Sequence, residues 1–208
     1  MKTKVIVLFF ACFNFACTTQ EILDFPDPTP LPAHWGQKST SRIAGTNCPF
    51  ISGEYSEPPE IYEIDKTGQK SIKADWGSYY GHIPFHLADR VEHESNKFGL
   101  SEKRILMTQS DEASFTMAFL THRKTLVEYI FKSKEGDYQC NGGYIKFPDF
   151  SSYGMIEGMS VNFQIRNILL TDETGSLIIQ TTRGPYRKYL RKTKNTFTDE
   201  LFRYELVQ

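Results

Sequence analysis

The chain has 208 residues, room for one domain of ordinary size or two small ones. Hydrophobic residues make up 39% and charged residues 24%, so a packed core is within reach and wholesale disorder is excluded. Lys+Arg (24) and Asp+Glu (25) nearly cancel, and the net charge of -1 excludes a globally basic nucleic-acid binder or an acidic solvating tail.

The first segment reads as an address label. Lys2 and Lys4 form a positive start, Val5–Phe13 is apolar, and Asn14, Phe15 and the small Ala16 follow. This is the layout of a secretory signal peptide over residues 1–16, and it is too short to span a bilayer. Ala16-Cys17 after an apolar run resembles the lipobox of bacterial lipoproteins. The resemblance implies cleavage before Cys17 and acylation of its thiol and new amino group, enough chains for stable anchoring. Asn14 stands where that motif carries an aliphatic residue, and Cys12 is the competing site. Thr18 rather than Asp after the cysteine implies the outer membrane, facing the periplasm.

Residues 17–47 read as lipid anchor and tether. Pro26, Pro28, Pro30 and Pro32 favour an extended, semi-rigid spacer. If this stretch packs on the domain instead, Trp35 and Ile43 are the residues to hold it. The folded part is expected over residues 48–208 as a single β-rich domain. After processing, Cys48 and Cys140 are the cysteines that remain unmodified, and an even pair in an exported chain reads as one disulfide, the alternative being two buried thiols.

Ile61–Ile64 predicts a short strand, Phe85–Glu94 one short helix, and Arg104–Thr108 a strand. Ser114–Leu120 alternates Phe115, Met117 and Phe119; Thr125–Lys132 alternates Val127, Tyr129 and Phe131. A turn at Glu135-Gly136-Asp137 leads to Tyr138–Cys140 and Tyr144–Phe147, broken at Gly142-Gly143. Val161–Leu170 and Ser176–Thr182 flank a five-residue connection ending in Gly175, a hairpin signal. Tyr186–Arg191 and Leu201–Val207 are further strand candidates. The fold class is mainly β: an antiparallel meander forming a barrel or sandwich, with Ser114 to Thr182 in one sheet.

CPFISGEY at Cys48–Tyr55, ADRV at Ala88–Val91, YQCNGGYI at Tyr138–Ile145, DETGSLII at Asp172–Ile179 and FRYE at Phe202–Glu205 come in that order. The set resembles a group of uncharacterised proteobacterial lipoproteins, which implies an envelope location and brings no established activity. Gly53-x-Tyr55 near the start and Arg203 near the end also resemble lipocalins. That resemblance implies a barrel closed by Arg203 packed over the Tyr55 ring, and a calycin-like carrier of a small apolar ligand as the alternative function.

Arg183, Arg187, Lys188, Arg191, Lys192 and Lys194 form a basic run that offers a patch for lipid phosphates. His82, His86 and His93 crowd together, but Pro84 breaks a shared helix face and HExxH is absent, so no metal site is assigned. GxSxG and SxxK are absent too, and no catalytic residue or cofactor is assigned. The expectation is a non-catalytic envelope lipoprotein, an interaction or structural module. It would be bound to the membrane through its lipid, with an envelope protein or anionic lipid as partner and no nucleic acid.

Overall fold

A computed structural model describes residues 27–56, 59–65, 68–73, 103–121, 124–156, 159–184 and 198–207. Among the described residues twelve strands run in chain order: β1 Gly53–Ser56, β2 Glu60–Asp65, β3 Gly68–Lys73, β4 Lys103–Gln109, β5 Ser114–Thr121, β6 Lys124–Lys132, β7 Gln139–Asn141, β8 Tyr144–Lys146, β9 Phe150–Ile156, β10 Met159–Thr171, β11 Leu177–Arg183 and β12 Thr198–Tyr204. They form two antiparallel sheets. One has four strands in the order β1-β4-β5-β6. The other has eight, in the order β3-β2-β12-β11-β10-β8-β7, with β9 also paired to β10.

The expectation of one sheet from Ser114 to Thr182 is therefore corrected. β5 and β6 belong to one sheet, and the strands from β7 onward to the other. The chain changes sheet through the 3-10 turn Ser133–Glu135 and left-handed Gly136. Asp137 accepts from the Lys132 backbone N–H at 2.9 Å, which ends β6. The predicted helix over 85–94 and the strand candidate Tyr186–Arg191 lie outside the described residues.

Alternation explains the four-stranded sheet. Phe115, Met117 and Phe119 are buried while Thr116 is half-buried, and in β6 Val127 and Phe131 are buried while Glu128 and Ile130 are exposed. Facing them, the row Ile145, Leu169, Ile179, Phe202 and Ile61 crosses five strands of the larger sheet. Between the sheets Phe115 stacks on Phe131 at 4.8 Å, and Phe147 meets Phe131 edge-on at 5.3 Å. Such ring pairs add about 0.5–1.5 kcal/mol beyond the area they bury.

β11 is different, since Leu177–Thr182 is buried without alternation. A sheet covered on both faces needs no polar side. The second cover is the stretch expected to be a tether. Trp35, in a 3-10 turn at Ala33–Trp35, packs with Tyr62, Ile168, Leu170, Ile178 and Leu201 on the outer face. Residues 37–39 also extend the sheet: Ser39 N–H donates to the Thr171 carbonyl at 2.8 Å and Glu173 N–H to the Gln37 carbonyl at 2.8 Å. Burying a side chain as large as Trp35 contributes about 3 kcal/mol, which outweighs the extended preference of the proline run. The packed domain thus includes residues expected to be spacer, and the chain reaches it near Pro28.

The two sheets meet at one corner. After β12 the chain crosses to β1, where Ser56 N–H donates to the Glu205 carbonyl (2.9 Å) and Val207 N–H to the Glu54 carbonyl (2.7 Å). The return of the last strand to Gly53–Tyr55 is thus made by residues 205–207, and the sheets remain an open sandwich rather than a closed barrel.

Buried phenols give this core an alkaline limit. Tyr138 O–H donates to the Glu112 carbonyl at 2.8 Å. Burial and the nearby Asp111, Glu112 and Asp137 carboxylates push its pKa up to about 12. Tyr55 is pushed up as well, by burial and by Asp172. A phenol with a raised folded pKa keeps its proton in the native state after the unfolded chain has lost it near 10. Stability should hold below about pH 10 and fall as pH rises toward about 12. Urea unfolding at about pH 9 and about pH 11 checks this. Tyr138→Phe should flatten the loss, and an unchanged pH slope in that variant would contradict the assignment.

Candidate functional site

Two clusters of polar side chains stand out, one at the corner and one under the N-terminal strap. At the corner, Asp172 is fully buried. Its Oδ1 accepts from Thr174 N–H (2.9 Å), Thr174 Oγ1–H (2.6 Å) and Ser176 N–H (2.9 Å). Its Oδ2 accepts from Arg203 Nε–H at 2.8 Å. The Asp-x-Thr-x-Ser spacing in the β10–β11 turn makes this possible, because an aspartate at a turn start reaches backbone N–H groups just ahead. Arg203 also lies 3.9 Å from Glu60 and 3.6 Å from Glu205.

The expected stack of Arg203 on Tyr55 is corrected accordingly. The guanidinium is held by the buried carboxylate, which offers a stronger partner than a ring face. Among the described residues the cation–π contact is Lys38 over Tyr144, at 4.9 Å. Tyr55 instead folds back, donating its O–H to the Ile51 carbonyl at 3.0 Å. Gly53 gives it room: a Cβ there would lie 3.1 Å from the Tyr55 ring and 2.6 Å from Leu206 Cδ1. Gly53, Tyr55 and Arg203 are thus brought to one corner, with Asp172 as the link.

Cys48 and Cys140 form a disulfide with a Cα–Cα distance of 4.9 Å, joining the lead-in to β1 with β7. The tip of the β7–β8 hairpin beside it receives two cations. Lys38 Nζ donates to the Gly142 carbonyl at 2.8 Å. Arg42 donates to the Ser39 and Ser41 carbonyls and lies against Gly143, where any Cβ would overlap its guanidinium. Gly143 also has φ +86, so glycine is required twice over. Burial and the nearby Arg42 charge lower the Lys38 pKa. Further along the same face, Asp149 binds Arg166 (3.0 Å) and Lys146 (3.6 Å). A groove of about 440 Å³ runs beside this row, lined by Pro28, Leu31, Lys38, Tyr144 and Leu170 among others.

Of the predicted anion patch, Arg183 alone falls within the described residues. Arg183 shares a sheet face with Glu200 and pairs with it at 2.9 Å. That face carries Ile179 and Phe202 into the space between the sheets, while Arg183, at the end of β11, keeps its side chain 37% exposed. Arg187, Lys188, Arg191, Lys192 and Lys194 lie outside the described residues, as do Cys17 and the three clustered histidines. Among the described residues no three His, Cys, Asp or Glu side chains gather into a metal-binding group. Sequence reading missed the Asp172 turn network and the clamp of Lys38 and Arg42. The first had a signal in its Asp-x-Thr-x-Ser spacing. The second had none, because the Lys38 partner is a backbone carbonyl at Gly142, 104 residues away, and Arg42 binds backbone carbonyls that any residue offers.

The chain matches no protein-family model, no curated protein and no solved structure.

Proposed function

We propose that this protein is a cell-envelope lipoprotein, acylated at Cys17, whose domain works as a non-catalytic interaction or structural module on the periplasmic side of the outer membrane. One observation supports the module over a carrier: among the described residues, the side chains between the sheets pack against one another. Ile105, Met107, Phe115, Met117 and Phe131 are each at most 1% exposed, and the large groove lies outside this core. A carrier needs its cavity where those side chains stand. The corner polar groups bind each other, which suits a structural role better than acid–base chemistry.

Metabolic labelling tests the anchor. Radiolabelled palmitate should enter the protein, and Cys17→Ser should abolish the label. Label kept at the same level in that variant would refute Cys17 as the site. Crosslinking in intact cells, with mass spectrometry of the products, then identifies what the module touches.

A further inference from the structure

The β7–β8 tip carries a reactive pair that neither the fold nor the proposed module uses. Asn141-Gly142 is the one Asn-Gly pair in the sequence. Gly142 and Gly143, with φ of 53 and 86, form the two-residue turn between Asn141 and its cross-strand partner Tyr144. Asn141 and Gly142 are exposed, and a Cβ on Gly142 would meet nothing within 4 Å. The Gly142 N–H donates to no acceptor among the described residues. An unbonded peptide nitrogen on a residue without a side chain is what ring closure from a preceding asparagine requires.

The fold opposes that closure. Asn141 ends β7, and extended backbone turns the Gly142 nitrogen away from the Asn141 side chain. Lys38 Nζ donates to the Gly142 carbonyl at 2.8 Å, and Asn141 Nδ2–H donates to Tyr144 Oη at 3.0 Å. Reaction therefore waits on local opening of the tip. β7 is three residues long and lies at the end of its sheet, the kind of element that opens at low cost.

We propose that Asn141 is a self-modification site, deamidated through a cyclic imide, and that Lys38 on the strap governs its rate. The Gly142 nitrogen bonds to Asn141 Cγ and gives up its proton; the Cγ–Nδ2 bond breaks, and ammonia leaves with that proton. Water then opens the ring. Attack at Cγ yields aspartate, and attack at the backbone carbonyl yields isoaspartate, whose main chain is one carbon longer. Either product sets a carboxylate beside Lys38 and Arg42. The isoaspartyl form also shifts the Gly142 carbonyl from under Lys38, so it loosens the strap irreversibly.

The purified protein, with its disulfide intact, tests this in mildly alkaline heavy-oxygen water. Peptide mass spectrometry should find one labelled oxygen at Asn141 first, and isoaspartyl methyltransferase should label the same peptide. Asn167, buried and followed by branched Ile168, should keep its amide. Lys38→Ala should convert roughly two- to tenfold faster, the factor that one net hydrogen bond contributes to an opening equilibrium. Lys124→Ala, on β6 of the other sheet, should leave the rate unchanged. Disulfide formation and unchanged hydrogen exchange in β5 and β11 verify that the variants fold. An Asn141 amide still intact in the folded protein after the urea-unfolded chain has converted would overturn the site, as would equal conversion at Asn167. Equal rates in wild type and Lys38→Ala would overturn the role of Lys38. In the isolated isoaspartyl form, exchange over residues 38–42 should quicken, and unchanged exchange there would overturn the release of the strap.

Discussion

Replacing Cys48 and Cys140 together by Ser should lower stability by about 4 kcal/mol, chiefly by releasing the unfolded chain. The bridged residues are 92 apart in sequence, and closing so long a loop removes much of the unfolded ensemble's freedom. The native state has its own stake. Cys48 is 1% exposed, and its segment leads directly to Ile51 and Tyr55 in the core of the four-stranded sheet. Its partner lies on β7, at the edge of the larger sheet, where short pairing with β8 alone is a weak hold. For a domain of this size the loss corresponds to a fall in Tm of roughly 8–16 °C. Urea unfolding of oxidised wild type, reduced wild type and the double Ser variant checks the result. The last two should agree, since both lack the bond. A loss below about 1 kcal/mol would mean that the loop-closure account fails for this chain.

Strands with one face in the core are legible from their period. Phe115, Met117 and Phe119 alternate with Thr116 and the small Ala118, and Val127 and Phe131 alternate with Glu128 and Ile130, so period alone places β5 and β6. β3 escaped notice because Gly68–Lys73 carries a single aliphatic residue, Ile72, and pairs through its backbone with β2. β9, Phe150–Ile156, is rich in Ser and Gly and reads as loop until β10 supplies its partner. The division into two sheets was not legible either. Ser133–Asp137 has the composition of a hairpin turn, yet the chain there leaves one sheet for the other. Local residues set that a turn occurs; the strands that await the chain afterward set where it goes.

The proline-rich stretch shows the same limit from the other side. PDPTPLP favours extended backbone, and extended backbone serves a tether or a strap equally well. The choice falls to Trp35, whose burial needs Ile168, Leu170, Ile178 and Leu201, residues more than 130 positions away. The disulfide was legible because counting suffices: two cysteines remain once Cys12, in the expected leader, and Cys17, the expected acylation site, are set aside. Among the candidate site residues, Arg203 was found for one reason and kept for another. An aromatic near the start and an arginine near the end of a β-chain suggest a stacked closure, and both side chains do reach one corner. The carboxylate that takes the guanidinium belongs to a turn whose sequence reads as an ordinary hairpin connection.

That distinction makes Arg203→Ala informative, with an expected loss of about 3 kcal/mol rather than the roughly 1 kcal/mol of an exposed cation–π contact. Asp172 is fully buried, and Arg203 is the cation in contact with it, at 2.8 Å. Truncating the arginine leaves the carboxylate in place, still held by the Thr174 and Ser176 donors but without a countercharge. Taking one partner from a buried pair costs more than the pair itself is worth, because the remaining charge cannot reach water. Asp172→Ala should cost at least as much, since it also strips three hydrogen bonds from the β10–β11 turn. In a double-mutant cycle the Arg203→Ala and Asp172→Ala losses should fall short of additive by about 1–3 kcal/mol, the coupling of two groups that act as one. The Arg203→Ala and Tyr55→Leu losses should be closer to additive. Equilibrium urea unfolding of the three single and two double variants measures both couplings. If Arg203 couples to Tyr55 more strongly than to Asp172, the ring, not the carboxylate, holds the guanidinium in solution. If Asp172 dominates, the corner that joins the two sheets is held by an ion pair set on a turn. A sandwich can be fastened there without closing into a barrel, since the final residues need only reach β1, not complete a ring of strands.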